Sequence, residues 1–472
     1  MGGMNLSSGD VQIFFASFCA LLQAMQMAMY SNSIYAYLRT LDPQANEDDF
    51  SWVLAISSIG QGVGSFIFGH FAEKPSKIRK YLFFGMILST VSNIPYLCLP
   101  FFESKQVILV MMISRFVAGL GITIALLRYF ASTHSDKVKR SKAMALLSAG
   151  SAFGSLIGSG IIVFYSKALQ VETAVLNTYT ITPILSILSS LAGFAVLLCL
   201  RPNRPSKDCE KIEYQCNNNG SKEKIAFGQN EVKHDNIALF VCIYTRFAQN
   251  FMQAALDTFG QPYLMILYMI SKKDIVRLFS QNTTIMSFLS LMIYISIIFG
   301  KDLKCCLNHM QVAMGVLISS TMFLMITFPW SFYPEYPTYD EIHHLNQSLG
   351  TESLEDCWSS GFRWCDSLHV LLSPWIYFIG YSVLFGLLVP FLNVHNVALY
   401  SKLLAHKEGL YHGVYDLCYS VSSVLAPLIS MYVYTRYGPS YTWIMLGSII
   451  LLAVILWATF YRRIRRKEAK CS

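Results

Sequence analysis

The sequence of 472 residues contains few charged side chains. Asp, Glu, Lys and Arg make up 14% of the chain, whereas 54% of its residues are hydrophobic. Soluble domains carry about 25% charged residues, so this shortage excludes an ordinary soluble globule. The apolar residues occur in long runs, which indicates that the chain lies in a lipid bilayer.

The sequence also lacks the motifs of an enzyme or of an ATP-driven pump. No phosphate-binding glycine loop followed by Lys and Ser or Thr is present. No spacing of Cys and His is typical of a zinc site. We therefore expect no catalytic residue, no cofactor and no bound metal. No basic segment precedes the long apolar run from Val11, so we expect no cleavable signal peptide.

The formal net charge of +8 is the one feature that suggests nucleic acid. The basic residues, however, lie in short loops between apolar runs and at the C-terminus. This distribution is typical of membrane topology, so we expect no nucleic-acid partner. The predicted partners are the lipid bilayer and a small molecule or ion, and a monomer is the favoured state.

Twelve apolar runs are long enough to cross a bilayer as helices. The sequence therefore predicts an all-α integral membrane protein with twelve spans. The runs lie near 11–37, 51–72, 81–102, 107–131, 142–166, 178–200, 237–269, 281–299, 309–329, 370–399, 411–435 and 439–461.

A polar segment separates the sixth run from the seventh. Residues 201–236 are rich in Asn, Lys, Glu and Ser, which is typical of a flexible linker. The chain then divides into an N-terminal six-helix bundle (1–200), the linker, a C-terminal six-helix bundle (237–461) and a basic tail (462–472). In transporters with two such halves, the solute site lies near the bilayer midplane at their interface.

The basic residues also predict the orientation. Most of the 36 Lys and Arg residues fall in the loops after even-numbered runs, in the linker and in the tail. Because basic loops stay in the cytosol, both termini are predicted to be cytosolic, and the loop over 329–369 faces the other side. That loop contains a glycosylation sequon at Asn346. It also contains Cys357 and Cys365, which form either a disulfide or two unpaired thiols.

One loop motif resembles the major facilitator superfamily. In that superfamily the loop after the second span reads Gly-x-x-x-Asp-Arg/Lys-x-Gly-Arg/Lys. The matching residues here are Gly69, Glu73, Lys74, Ser76 and Lys77, with Glu and Ser in place of Asp and Gly. The resemblance implies that Glu73, Lys74 and Lys77 form a latch between the two halves on the cytosolic side.

The fourth and fifth apolar runs resemble the same superfamily. The Arg-x-x-x-Gly signature of its fourth span matches Arg115 and Gly119. Its glycine-rich fifth span is similar to the run that contains Gly150, Gly154 and Gly158, although the proline of that motif is absent here. Small residues at this spacing allow neighbouring helices to approach closely.

A narrower resemblance covers most of spans two to five and nine to twelve. The motifs Leu399–Leu404, Gly413, Ala426-Pro427 and Tyr437-Gly438-Pro439 follow one another closely. They resemble the ceroid-lipofuscinosis-type lysosomal facilitators of the superfamily. This resemblance implies an endolysosomal membrane transporter with an anion, or chloride, conductance, and the plasma membrane is the alternative location.

Arg115 is the main candidate for the solute site. An arginine at membrane depth costs several kcal/mol unless it faces a polar cavity or a partner. We expect Arg115 to bind an anionic solute or to pair with a carboxylate that is protonated during transport. The alternative is a structural ion pair or hydrogen bonds to helix carbonyls.

Other polar residues in the apolar runs suit the same cavity. Asp257 lies beside Gly260 and Pro262, which permit a broken helix at a gate, and it is a candidate proton carrier. The alternative for Asp257 is a helix-end position in an outer vestibule. Gln23 and Gln26 suit the wall of a polar cavity, although a packed helix interface would explain their spacing nearly as well.

Arg128 and Asp416 are assigned to gating or structure. Arg128 lies near the cytosolic end of its span, where it can reach the Glu73 network, and Asp416 lies where the eleventh span meets the same loop. The sequence thus favours a transporter of a small anionic solute by alternating access or a derived pore. The alternatives are a proton-coupled carrier of an organic solute and a transport-inactive receptor or scaffold.

Overall fold

A computed structural model of the chain describes residues 8–71, 75–134, 140–168, 180–199, 236–299, 309–337, 357, 362–365, 369, 373–403 and 408–471. These residues form α-helices joined by short turns. The helices are α1 (Ser8–Leu41), α2 (Glu47–Phe71), α3 (Pro75–Leu97), α4 (Ser104–Leu120), α5 (Ile124–His134), α6 (Arg140–Ala168), α7 (Ile181–Cys199), α8 (Asn236–Tyr268), α9 (Lys272–Phe299), α10 (His309–Thr327), α11 (Pro374–Val383), α12 (Val389–Leu403), α13 (Glu408–Tyr437) and α14 (Pro439–Cys471).

The helices have the lengths and composition of membrane spans. Among the described residues, 10 helical segments are long and apolar enough to cross a bilayer. α8 is long but carries Arg246 and Asp257, and α4 is short. The predicted all-helical membrane architecture is confirmed. The count of twelve crossings, the orientation of the termini and the division into two six-helix bundles stay predictions.

The fourth apolar run is broken, although a single helix over 107–131 was expected. α4 ends at Leu120, and α5 begins at Ile124. Gln23 of α1 closes the junction, because its amide accepts the Thr123 N–H at 3.4 Å and donates to the Thr123 hydroxyl at 2.7 Å. A polar side chain from another helix thus replaces the hydrogen bonds that the break removes, as the bilayer interior requires.

The seventh apolar run is continuous, although its glycine and proline favour a break. α8 extends from Asn236 to Tyr268 with Pro262 inside it. A proline removes one backbone hydrogen bond, and packing against neighbouring helices lets a membrane helix tolerate that loss. Gly260 is closely packed in this way, since a Cβ there would lie 2.8 Å from the Tyr377 hydroxyl.

The tenth apolar run contains one turn of π-helix, Leu384–Leu388, between α11 and α12. Pro390 follows it and has no N–H to donate to the carbonyl of Gly386. The Ser290 hydroxyl of α9 donates to that carbonyl at 3.1 Å. The carbonyl that this irregular turn leaves unpaired therefore also receives a hydrogen bond from a side chain of a neighbouring helix.

The helices before and after the linker meet along two long seams, α6 against α9 and α2 against α13. In the first seam, the Thr284 hydroxyl donates to the Ser159 hydroxyl at 2.9 Å. Further along, the Tyr294 hydroxyl is in hydrogen-bond contact with Ser148. Because the residue numbers change in opposite directions, α6 and α9 are antiparallel and touch over about ten residues, or ~15 Å.

α1 packs along α6 through a row of glycines. A Cβ on Gly150, Gly154 or Gly158 would collide with a carbonyl oxygen of α1, whereas a Cβ on Gly160 would meet nothing within 4 Å. The carbonyl oxygens belong to Ser17, Leu21 and Met25, respectively. Gly119 of α4 has the same role against the Ser57 carbonyl of α2.

We expect Gly154→Ala to destabilise the protein and Gly160→Ala, in the same helix, to be neutral or mildly stabilising. Both substitutions gain the same intrinsic helix propensity, about 1 kcal/mol. Only the first pushes two backbones apart, which costs about 1–3 kcal/mol. Thermal unfolding of the purified protein in detergent measures the difference. Equal melting temperatures for the two variants would contradict the packing described here.

Candidate functional site

A cavity of about 100 Å³ lies among α1, α2, α3 and α4. Its wall contains three of the four predicted cavity residues, Gln23, Gln26 and Arg115, but not Asp257. The remaining wall residues are Met27, Tyr30, Ser31, Ile34, Val53, Leu54, Ser57, Ser89, Ser92, Asn93, Ala118 and Ile122. Most of the wall is apolar or carries hydroxyl groups, so the guanidinium is its dominant charge.

The Arg115 side chain packs against two aromatic rings. It is 4% exposed, and its Cζ lies 3.8 Å from the ring centre of Tyr30 and 4.6 Å from that of Tyr96. The two rings meet edge to face, with centres 4.9 Å apart. The Tyr30 hydroxyl donates to the Oδ1 of Asn93, which fixes the ring under the guanidinium.

The positive charge of Arg115 is stabilised but not neutralised. Within the described ranges no carboxylate forms an ion pair with it, and its Nε has no hydrogen-bond partner there. An arginine at the bilayer centre costs about 2.5–3.5 kcal/mol, whereas one desolvated cation–π contact contributes about 2 kcal/mol. The two tyrosines therefore offset much of the cost and leave a full positive charge facing the cavity.

The two glutamines of α1 connect the cavity wall to other helices through hydrogen bonds. Gln23 closes the junction between α4 and α5. The Gln26 amide donates to the hydroxyls of Ser189 and Ser190 in α7, at 2.6 and 2.9 Å. Both glutamines thus line the cavity and also form hydrogen bonds to neighbouring helices. The two roles that the sequence left open, cavity wall and helix interface, therefore apply together.

Asp257 lies on the same face of α8 as Gln261, outside the wall of the Arg115 cavity. Its carboxylate accepts a hydrogen bond from the Tyr381 hydroxyl in α11, and the side chain is exposed. One turn further along the same face of α8, the Gln261 amide donates to the Ser31 carbonyl in α1 at 3.2 Å. Ser31 belongs to the wall of the Arg115 cavity, so the carboxylate lies near that cavity but on the opposite half.

The other two interior arginines are held by polar and aromatic groups. Arg246 donates to the Oδ1 of Asn393 at 2.7 Å and lies 4.7 Å from the ring centre of Tyr419. Arg128 is half-buried in α5 and lies within electrostatic range of Tyr294 in α9. Arg128 therefore lies close to the seam between α6 and α9.

Several predicted residues lie outside the described part of the chain. Glu73, Lys74 and the sequon at Asn346 are outside it, as are the side chains of Lys77 and Asp416, whereas the backbone of Gly69 lies near the end of α2. In the loop after α10, Cys357 and Cys365 are joined by a disulfide. The Trp364 indole of the same loop donates to the Thr435 carbonyl at the end of α13, at 3.3 Å.

The sequence reading missed the partners of the two charged groups. Tyr96 contacts Arg115, Asn93 fixes the Tyr30 ring against it, and Tyr377 and Tyr381 lie beside Asp257. Each pair is one helical turn apart in an apolar run, and that spacing is the signal that could have identified them. The spacing does not say which distant charge each pair contacts.

The chain has detectable relatives among known proteins. The sequence profile of the Major Facilitator Superfamily matches residues 16–339 and 362–472. Major facilitator superfamily domain-containing protein 8 from Xenopus laevis is 24% identical over 471 residues, which cover 94% of this chain and 89% of that protein. The fold is similar to a partially occluded inward-open structure of the xylose transporter XylE from E. coli. The TM-score is 0.61 at 11% identity, over 96% of this chain and 99% of the transporter.

We expect a cysteine at Met27, which is 47% exposed, to react with small charged thiosulfonates, and a cysteine at Met29, which is 0% exposed, to remain unmodified. Near Arg115, an anionic reagent should react faster than a cationic one. Arg115→Gln should lower that ratio by about 30-fold, because one charge at ~8 Å in a medium of dielectric ~40 changes each of the two rates by about sixfold, in opposite directions.

The measurement uses a background that retains only Cys357 and Cys365 of the native cysteines, with modification followed by mass spectrometry. Arg436→Gln, an exposed arginine at the end of α13, is the matched control. An unchanged ratio in Arg115→Gln would show that Arg115 does not set the potential of the cavity.

Proposed function

The chain belongs to the Major Facilitator Superfamily and is a membrane transporter rather than an enzyme, and from this premise we propose that it moves a small anionic solute. The observation that carries the proposal is the unneutralised guanidinium of Arg115 in a buried cavity. A cation that no described carboxylate balances attracts an anion, and the attraction is stronger in a partly dry cavity than in water.

Chloride is the anion that the resemblance to the ceroid-lipofuscinosis-type facilitators implies. The Arg115 cavity suits it, since the rest of the wall offers hydroxyl and amide donors and no described carboxylate. The aromatic rings on Arg115 also weaken hydration of the guanidinium, so an incoming anion replaces less water. The cavity therefore favours a small anion over a cation.

Alternating access is the proposed mechanism. Residues 11–200 would rock against residues 237–461 around the cavity. On the side assigned to the lumen, the contacts that must open include Gln261 with the Ser31 carbonyl, and the Lys272 amine with the Arg39 carbonyl at 3.4 Å. On the side assigned to the cytosol they include Tyr294 with Ser148.

The latch on the cytosolic side is proposed from the motif after the second span. Glu73, Lys74 and Lys77 would pair with groups at the helix ends of the other half. Arg128 and Asp416 are the proposed neighbours of this latch. The position of Arg128 beside α9 supports the assignment, because α9 belongs to the other half.

The endolysosomal membrane is the proposed location, and the plasma membrane is the alternative. The loop after α10 supports a lumenal or extracellular exposure, because a disulfide persists in an oxidising compartment. The sequon at Asn346 in the same loop is consistent with that side, and we propose that it is glycosylated.

A proton-coupled carrier is the second candidate, and Asp257 is the observation that favours it. Its carboxylate is exposed between the halves and accepts a hydrogen bond from Tyr381. A carboxylate in that position can take up a proton on one side of the membrane and release it on the other. Coupling would then require a pH gradient.

Chloride flux in proteoliposomes tests the proposal, with and without a pH gradient. We expect electrogenic chloride flux in the native protein and a loss of at least about tenfold in Arg115→Gln, which corresponds to ~1.4 kcal/mol or more. Arg115→Lys keeps the charge but not the planar contact with Tyr30 and Tyr96, so it should retain part of the flux. Arg436→Gln should leave the flux unchanged.

Two other results would redirect the assignment. Acidification that depends on an added organic solute, without chloride flux, would favour the proton-coupled carrier and make Asp257 its coupling residue. No flux of any kind from correctly folded protein would favour a transport-inactive receptor or scaffold.

A further inference from the structure

The structure places two opposite charges on the two halves of the transporter. Arg115 belongs to α4 in the N-terminal half, and Asp257 belongs to α8 in the C-terminal half. Within the described residues neither side chain forms an ion pair, since the pair found there joins Arg39 and Glu47. Each charge is therefore free to meet a charge that arrives with the solute.

The register of α1 and α8 places the two charges along one path. Ser31 contacts Gln261, and further along Arg39 contacts Lys272, so α1 and α8 run in the same direction. Asp257, four residues before Gln261, is then level with Met27, four residues before Ser31. Met27 is in the wall of the Arg115 cavity and is among its most exposed members.

The distance between the charges is longer than a single contact. Asp257 lies one turn, about 6 Å, from the residue that touches the cavity wall. Arg115 is another member of the wall, with its Cζ 3.8 Å from the ring centre of Tyr30. A solute that reaches both charges therefore needs its own two charged groups several ångströms apart.

The surroundings of Asp257 suit an ammonium group. The Tyr381 hydroxyl donates to the carboxylate, and the rings of Tyr377 and Tyr381 stack with their centres 5.9 Å apart. The Tyr377 hydroxyl is buried, has no hydrogen-bond partner within the described ranges and lies within electrostatic range of Asp257. A carboxylate beside phenol rings and a spare hydroxyl oxygen offers the acceptors and the π-faces that an ammonium prefers.

We propose that the solute is a zwitterion whose acidic group binds Arg115 and whose ammonium group binds Asp257, Tyr381 and Tyr377. This inference rests on the proposed anion site at Arg115, which a chloride ion alone can also occupy, and it adds a positively charged group to the solute. In an extended dipeptide the two charged groups are about 7 Å apart, the length of two extended residues. Short peptides and ω-amino acids share this chemistry, whereas an α-amino acid is too short to reach both sites.

Binding to the full-length purified protein tests the proposal, with thermal stabilisation as the readout. The probes are hexanoate, ε-aminohexanoate, alanyl-alanine, its N-acetylated form and glycine. We expect ε-aminohexanoate or alanyl-alanine to bind at least about tenfold more tightly than hexanoate, N-acetyl-alanyl-alanine or glycine, because only these two zwitterions can bind both charges. The stronger of the two zwitterions distinguishes an ω-amino acid from a peptide.

Asp257→Asn should remove the preference for the zwitterion by weakening its binding, whereas the affinity for hexanoate, which has no ammonium group, should not fall. Arg115→Gln should weaken both probes. Tyr381→Phe, which keeps the ring and the carboxylate, should reduce the preference partially. It is the second variant if Asp257→Asn fails to fold.

Two results would overturn the inference. One is an equal affinity of the native protein for hexanoate and for both zwitterions. The other is an unchanged preference in Asp257→Asn or Tyr381→Phe, which would return Asp257 to the role of proton carrier. Chloride flux that depends on Arg115 would survive either result, so the failure of this inference is distinct from failure of the proposed anion transport.

Discussion

The need to hold a cation in a low-dielectric bundle without a described counter-ion organises the N-terminal half of the protein. Arg115 cannot shed its proton, so the surrounding residues must accommodate a full charge. Tyr30 and Tyr96 do so with their ring faces, and Asn93 fixes the first ring through its hydroxyl. This arrangement stabilises the guanidinium while leaving its charge available, which a salt bridge would not. The absence of a carboxylate partner among the described residues is the observation that supports the proposed binding of an anion at Arg115.

The irregular helices follow from the same environment. No water is present in a bilayer to satisfy backbone groups, so a helix can break only where another helix supplies a polar side chain. Gln23 does this at the junction of α4 and α5, and Ser290 does it at the π-helical turn before Pro390. The junction lies directly at the cavity that contains Arg115, since Gln23 and Ile122 are in its wall. The helices around the cavity can therefore shift at this junction without exposing backbone polar groups to lipid.

The sequence predicts the helices and the charged residues within them, but not which residues of different helices contact one another. Long apolar runs and an arginine inside one of them are local signals, and both Arg115 and the glycine row of α6 can be recognised from spacing alone. The break between α4 and α5 was not predictable. Nothing near Thr123 indicates that Gln23, 100 residues away, forms a hydrogen bond to it. The same applies to Asp257 and Tyr381, which are 124 residues apart. Such contacts depend on how the packed helices are rotated and aligned. Close contacts such as those of the glycines determine that rotation and alignment.

Arg115 and Asp257 lie on different halves, and their placement affects how a solute would drive transport. A ligand shifts a conformational equilibrium only by its difference in affinity for the two states. A simple anion contacts Arg115 whichever way the halves are tilted, so it gains little from their closure. A solute that also contacts Asp257 interacts with both halves, and it gains the second contact only when α1 and α8 are close. Such a solute stabilises an occluded state through its own length and charge, and no separate gate has to recognise it. Matching the solute to the spacing between the charges would then provide selectivity and closure through the same contacts.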